Sequence, residues 1–269
     1  MTVPDPPVVF LPGAGGLATE LSWLRDGPLE GTRFIAINYP GWRRYVAEDF
    51  SADSLIQYLM DQILAVAPSG PIALVGVSLG GHFSYALALR LQALGRDVAG
   101  MCAIDSFMVT SSAAGEGWVR RAMVDAFYLL RKGRFREFIR QIFAKCWRAL
   151  MRVAGPRLAG WVRWFSGARA PPGPAGSDSL FEFELSLRLL IRATAPWVAS
   201  LDRDPVALDV PAALLRTPMT SSDDEAWCRR CPHIEILEIP GGHQTLFEPE
   251  NIDALRSAFI AAKRGWHRP

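Results

Sequence analysis

The sequence predicts an α/β fold in which an open, mostly parallel sheet is covered by helices on both faces. Three observations carry this expectation. Short, continuous apolar runs recur along the chain and end in turn residues, stretches of helical period lie between them, and the 269 residues, half of them apolar, suffice for one sizeable core.

The first run, Val8 to Leu11, stops at Pro12 and a glycine-rich turn, and the second, Phe34 to Ile37, stops at Asn38-Tyr39-Pro40-Gly41. A helix follows, with Ser54 as its expected cap and Leu55, Ile56, Leu59, Ile63 and Leu64 on one face. Ile72 to Val75 stops at Gly76, and the next helix runs from there to about Leu94, where Gly95 closes it. Val98 to Ile104 stops at Asp105; Ala212 to Leu215 and Ile234 to Ile239 come later, before a last helix over about Ile252 to Lys263. Runs without polar alternation read as parallel strands buried on both faces. Strands that alternate with helices build an open sheet through crossover connections.

That alternation fails between about Ser106 and Pro205. Phe135, Phe138, Ile139, Ile142, Phe143 and Trp147 repeat at helical spacing, while Arg136, Arg140, Lys145, Arg148 and Arg152 fall largely off the stripe. A Pro/Gly-rich break at 170–176 precedes a second apolar helix, expected over Leu180 to Ile191. The segment reads as a helical lid. Residues 1–269 then form one domain, with a core of 1–105 and 206–269 and a lid insertion at about 106–205.

The net charge of +2 hides an uneven distribution: residues 116–170 carry 13 Lys/Arg against 3 Asp/Glu, so the rest of the chain is acidic. Cys228 and Cys231 form a CxxC pair, but Cys102 and Cys146 are isolated and no ligand-spaced histidines accompany them. Reduced structural thiols in a cytoplasmic protein are expected, and no metal site. No apolar stretch approaches the length of a membrane span, and Met1 to Pro7 does not resemble a signal peptide.

The chemistry centres on Gly76-Val77-Ser78-Leu79-Gly80-Gly81, a GxSxG motif between a strand-like run and a helix. That context forces a serine into a tight strand–turn–helix with its hydroxyl exposed, where a glycine-rich turn elsewhere would mean little. A serine hydroxyl needs a base. Of the four histidines, His82 lies on the elbow helix as a packing or polar residue, His233 precedes a strand and His267 is in the tail. His243 follows Pro240-Gly241-Gly242, after the last strand, where a loop-borne base belongs in this arrangement. The acid stays open between Asp105, ending the strand after the elbow helix, and Asp223 or Asp224, after the following strand. The amides of Ala14 and Leu79 are the expected oxyanion donors: one lies in the glycine-rich loop after the first strand, the other directly after the nucleophile.

In four places the chain resembles the thioesterase domains of nonribosomal peptide and polyketide synthases, which have the α/β-hydrolase fold. They are Phe10-Leu11-Pro12-Gly13-Ala14-Gly15-Gly16, the elbow through His82, Ile104-Asp105-Ser106-Phe107, and Pro240-Gly241-Gly242-His243 with Leu246-Phe247-Glu248-Pro249. The resemblance implies Asp105 as the acid. It also implies a substrate: an acyl, peptidyl or polyketidyl chain held as a thioester on the phosphopantetheine arm of a carrier protein. Ser78 would take the chain as an oxyester, and water or an internal nucleophile would release it. No cofactor of its own is expected. The expected partner is the carrier protein, as the upstream domain of a megasynthase, and neither nucleic acid nor membrane. A stand-alone editing thioesterase, an esterase, lipase or acyltransferase on small esters, and an inactive binding protein of the same fold are the competing expectations.

Overall fold

The computed structural model describes residues 5–21, 29, 32–47, 49–107, 180–218, 224–243 and 245–267. Most of the expected lid, including the basic segment 116–170 and the stripe from Phe135 to Trp147, lies outside them, as does Asp223.

Six strands are described: β1 (Val8–Leu11), β2 (Phe34–Ala36), β3 (Ile72–Val77), β4 (Val98–Ile104), β5 (Ala212–Arg216) and β6 (Ile234–Glu238). They form one sheet in the order β2-β1-β3-β4-β5-β6. Every pairing is parallel, as the sequence predicts. The inner strands are buried on both faces, but β2 and β6 are partly exposed because each edge has a neighbour on one side only.

Side chains of alternate residues supply two cores. Val9, Leu11, Leu74, Met101 and Ala103 face α1 (Trp42–Tyr45), α2 (Ala52–Val66) and α3 (Leu79–Ala93), with parts of α4 (Leu180–Arg203) and α5 (Asp224–Arg230). Val8, Phe10, Val75, Cys102, Ile104 and Leu215 face α6 (Pro249–Arg264). Helix α3 is apolar nearly all round because it is enclosed: Gly80 to Ala88 and Leu91 are buried.

Three local expectations need correcting. The cap of α2 is Ser51, whose side chain accepts from the Ser54 amide at 3.1 Å, while the Ser54 hydroxyl reaches back to the Ser51 amide at 2.9 Å. Ser54 is thus the far half of a capping box, which satisfies two amide donors instead of one. Helix α4 does not stop near Ile191 but continues through Pro196 to Arg203. Packing outweighs the lost proline donor: Val198 is buried, and Trp197 stacks on Phe83 with centroids 5.1 Å apart. Finally, α6 begins at Pro249, a residue preset for the first helical position.

The chain order creates a switch point. It leaves β1 for β2 on one side, then returns past β1 to form β3 on the other. Leu11 pairs with Gly76, so the loops after β1 and β3 leave the sheet side by side. A crevice beyond the carboxyl ends at such a point is the usual ligand position in open α/β sheets.

Candidate active site

Ser78 follows β3 and caps α3 with φ +54° and ψ −118°, outside the ordinary left-handed region. Strain of this kind costs about 1–3 kcal/mol and persists only where the surroundings impose it. They do so here through glycine. A Cβ on Gly76 would lie 2.1 Å from the Gly80 carbonyl carbon, and one on Gly80 would lie 2.4 Å from the Leu11 oxygen. Strand, turn and helix therefore pack closer than any side chain permits.

The same closeness brings the loop after β1 to the serine. A Cβ on Gly13 would stand 3.6 Å from the Ser78 Cβ. The loop closes as a turn, with the Gly16 amide donating to the Gly13 carbonyl at 3.0 Å. Tyr39, buried after β2, donates its hydroxyl to the Pro12 carbonyl at 2.6 Å, and the Asn38 side chain accepts from the Ala18 amide at 2.9 Å. Ala14 sits inside this clamped turn. Leu79 is the first residue of α3, where a helix has no preceding turn to accept its amide.

Asp105 follows β4 with φ +46° and is wholly buried. Ser78 and Asp105 leave neighbouring strands, and the Ser78 amide donates to the Ile104 carbonyl at 2.8 Å. A buried carboxylate is tolerable only when its oxygens are bonded. Asp105 Oδ1 accepts from the Thr217 amide and hydroxyl, each at 2.9 Å, and Oδ2 lies 2.7 Å from His243 Nδ1. The aspartate thus holds the Nδ1 proton and leaves Nε2 as the acceptor. The Phe107 ring meets the His243 ring edge-on, with centroids 4.9 Å apart.

Asp224 is engaged elsewhere: Arg216 Nε lies 3.0 Å from its carboxylate, and the same guanidinium reaches Glu238 at 2.8 Å. Of the two described carboxylates weighed from the sequence, only Asp105 meets the histidine.

Four residues escaped the sequence reading. Thr217 has a detectable signal, since it directly follows β5, beside the strand β4 that Asp105 follows. Tyr39, Trp227 and Arg230 have none. Trp227 Nε1 donates to the Ser106 carbonyl at 2.6 Å, and Arg230 is buried beside His82. His82 itself is a buried polar residue whose ionisation burial and then Arg230 push down to about 3.

A family model described as the thioesterase domain matches residues 6–145, just over half of the chain. The chain is 27% identical to "Thioesterase frbE" of Dothideomycetidae sp. over 267 residues, covering 95% of this chain and 88% of that protein. It is 36% identical over 110 residues to "AMB antimetabolite synthetase AmbE" of Pseudomonas aeruginosa, covering 40% of this chain and 5% of that protein's length. The α/β-hydrolase fold is shared with a solved Vlm2 thioesterase domain, bound with a dodecadepsipeptide. The TM-score is 0.60 at 18% identity, covering 96% of this chain and 94% of that one.

Proposed function

The chain belongs to the thioesterase domain family of serine hydrolases, and from that premise we propose that Ser78, Asp105 and His243 are its catalytic triad. The 2.7 Å contact between Asp105 and His243, beside the strained turn of Ser78, carries this reading. His243 Nε2 takes the Ser78 proton as Oγ attacks the thioester carbonyl carbon. The amides of Ala14 and Leu79 hold the resulting oxyanion. Collapse expels the thiol, which takes its proton from His243, and leaves the acyl chain on Ser78 as an ester. Water, or a hydroxyl or amine of the chain itself, then attacks the ester carbonyl and gives its proton to His243. His243 passes it to the departing Ser78 oxygen as the free acid or ring is released.

We propose further that the acyl, peptidyl or polyketidyl chain arrives on the phosphopantetheine arm of a carrier protein in a biosynthetic synthetase. The family and the named synthetase among the relatives support this. No cofactor of its own enters the cycle. Residues 1–105 and 206–269 would act as one domain with the segment at about 106–205 as lid, in the cytoplasm. Among the described residues no helix is long and apolar enough to cross a membrane. The length of the match to the frbE thioesterase favours a second reading, a separate thioesterase serving carriers in trans.

The test is incubation with a panel of acyl-carrier thioesters and identification of products by mass, alongside labelling with a fluorophosphonate. Label on a peptide containing Ser78, lost in Ser78→Ala with the fold retained, is the expected result. Label elsewhere, or thioester turnover that survives Ser78→Ala, overturns the triad. Release of free acid or ring from loaded carriers supports the chain-release reading; turnover of simple esters alone makes the protein an esterase.

A further inference from the structure

We propose that His82, oriented by Arg230, is a positioning residue that fixes the 105–107 turn on which the acid and the aromatic neighbour of His243 are mounted. This rests on the Ser78–Asp105–His243 reading and adds to it a buried polar relay that the reaction does not touch.

His82 lies in the first turn of α3, four residues past Ser78, and is 2% exposed. Its Nδ1 is 3.1 Å from Arg230 Nη1. A guanidinium only donates, so Nδ1 must accept and the ring proton must sit on Nε2. Nε2 lies 3.2 Å from the Phe107 carbonyl, to which it donates. Arg230 therefore selects the tautomer that His82 needs. Burial first, and the guanidinium second, keep the ring neutral, so that this tautomer persists through the working pH range. Arg230 is in turn held by Asp202 of α4 at 3.0 Å.

Three parts of the fold clasp the turn, each through one residue. Thr217, after β5, holds Asp105. Trp227, on α5, holds the Ser106 carbonyl and stacks on His82 with centroids 5.4 Å apart. His82, on α3, holds Phe107, whose ring meets His243. Asp105 is in the left-handed region and Ser106 is so close to Gly81 that a Cβ there would fall 2.0 Å from the Ser106 hydroxyl. An apolar pair of similar volume would be less costly to bury than an arginine against a histidine. What the polar pair supplies is a directional donor at the Phe107 carbonyl, next along the turn from the Ser106 carbonyl that Trp227 holds.

The test compares wild type, His82→Gln and His82→Leu on a small acyl thioester, with Tm measured in parallel. Glutamine retains an N–H donor at comparable reach; leucine fills similar volume without one. Displacement of a reacting geometry by about 1 Å costs roughly 100-fold. His82→Leu should accordingly lose about 10- to 100-fold in kcat with KM little changed, and His82→Gln should recover most of it. Equal losses in both variants, or losses that follow Tm alone, overturn the proposal. If His82→Leu does not fold, nitrogen NMR of the wild-type histidines decides: a proton on Nε2 that does not titrate between about pH 5 and 8 is required. A proton on Nδ1, or titration in that range, overturns it. Wild type that fluorophosphonate does not label at Ser78 sinks the triad and this inference together. Labelled wild type with an indifferent His82→Leu sinks only the inference.

Discussion

At the scale of single residues, Asp105 and His82 are both buried and polar, and both are held by what they bond. In the proposed triad Asp105 keeps the base in its useful tautomer, so Asp105→Asn should retain the fold and lose on the order of 10⁴ in turnover. Asp224→Asn loses only a partly exposed pairing with Arg216, worth about 0–1 kcal/mol, and should leave turnover unchanged. Steady-state rates of the two variants check this, and the reverse pattern would move the acid to Asp224. His82 supplies a pH signature. Its folded value of about 3 lies below the ordinary 6.5, so the folded state binds fewer protons than the unfolded one. The stability it allows is complete above the unfolded value and drains away as pH falls toward the folded one. By about pH 5 the loss reaches roughly 2 kcal/mol. Melting curves of wild type should therefore fall more steeply between about pH 6.5 and 5 than those of His82→Gln, which has no titrating group at that site.

At the scale of elements, the site depends on how closely β3, α3 and the loop after β1 approach. Gly80→Ala would push a Cβ to 2.4 Å from the Leu11 oxygen and 2.5 Å from the Pro12 oxygen. No rotamer relieves a clash with backbone, so the helix start and the loop after β1 must separate. Overpacking of this kind costs about 1–3 kcal/mol, and here it also moves apart the amides of Ala14 and Leu79, the proposed oxyanion donors. Gly100→Ala is the matched comparison, because its Cβ would fall 2.1 Å from the Trp266 ring, far from the Ser78 turn in the sheet. Both variants should melt several degrees lower. Only Gly80→Ala should lose kcat when assayed well below its Tm; equal kcat losses in the two would mean that the loop spacing is irrelevant to the chemistry.

For the whole molecule, the sheet divides the interior into two apolar layers that share no side chain but share every strand. The layer under α6 closes on Trp266, which is 5% exposed and meets Phe259 edge-on with centroids 5.7 Å apart. Its indole Nε1 is buried without a hydrogen-bond partner among the described residues. Trp266→Ala should cost about 3–5 kcal/mol through the cavity it leaves. Trp266→Phe keeps much of the contact and removes the buried donor, so its cost should stay below about 1.5 kcal/mol. Chemical denaturation of the two variants measures the difference, and equal costs would show that the indole donor is satisfied.

The order of strands and helices is legible in the residues alone, because runs such as Val8 to Leu11 and Val98 to Ile104 are apolar without interruption, and a parallel sheet buried on both faces demands that. The sequence also singles out Ser78 and His243, since a glycine-bounded elbow and a loop histidine after the last strand are local patterns. It could not choose between Asp105 and the acids after β5 from the residues alone. That choice depends on which carboxylate meets the imidazole across 138 residues of chain, and the fold puts Asp105 there while Arg216 takes Asp224. The extent of α4 beyond Pro196 was likewise invisible, because burial of Val198 and the contact of Trp197 with Phe83 decided it against local propensity. The same holds for Tyr39, Trp227 and Arg230. Their roles lie in bonds to carbonyls and rings far along the chain, and such contacts leave no spacing in a sequence to be read.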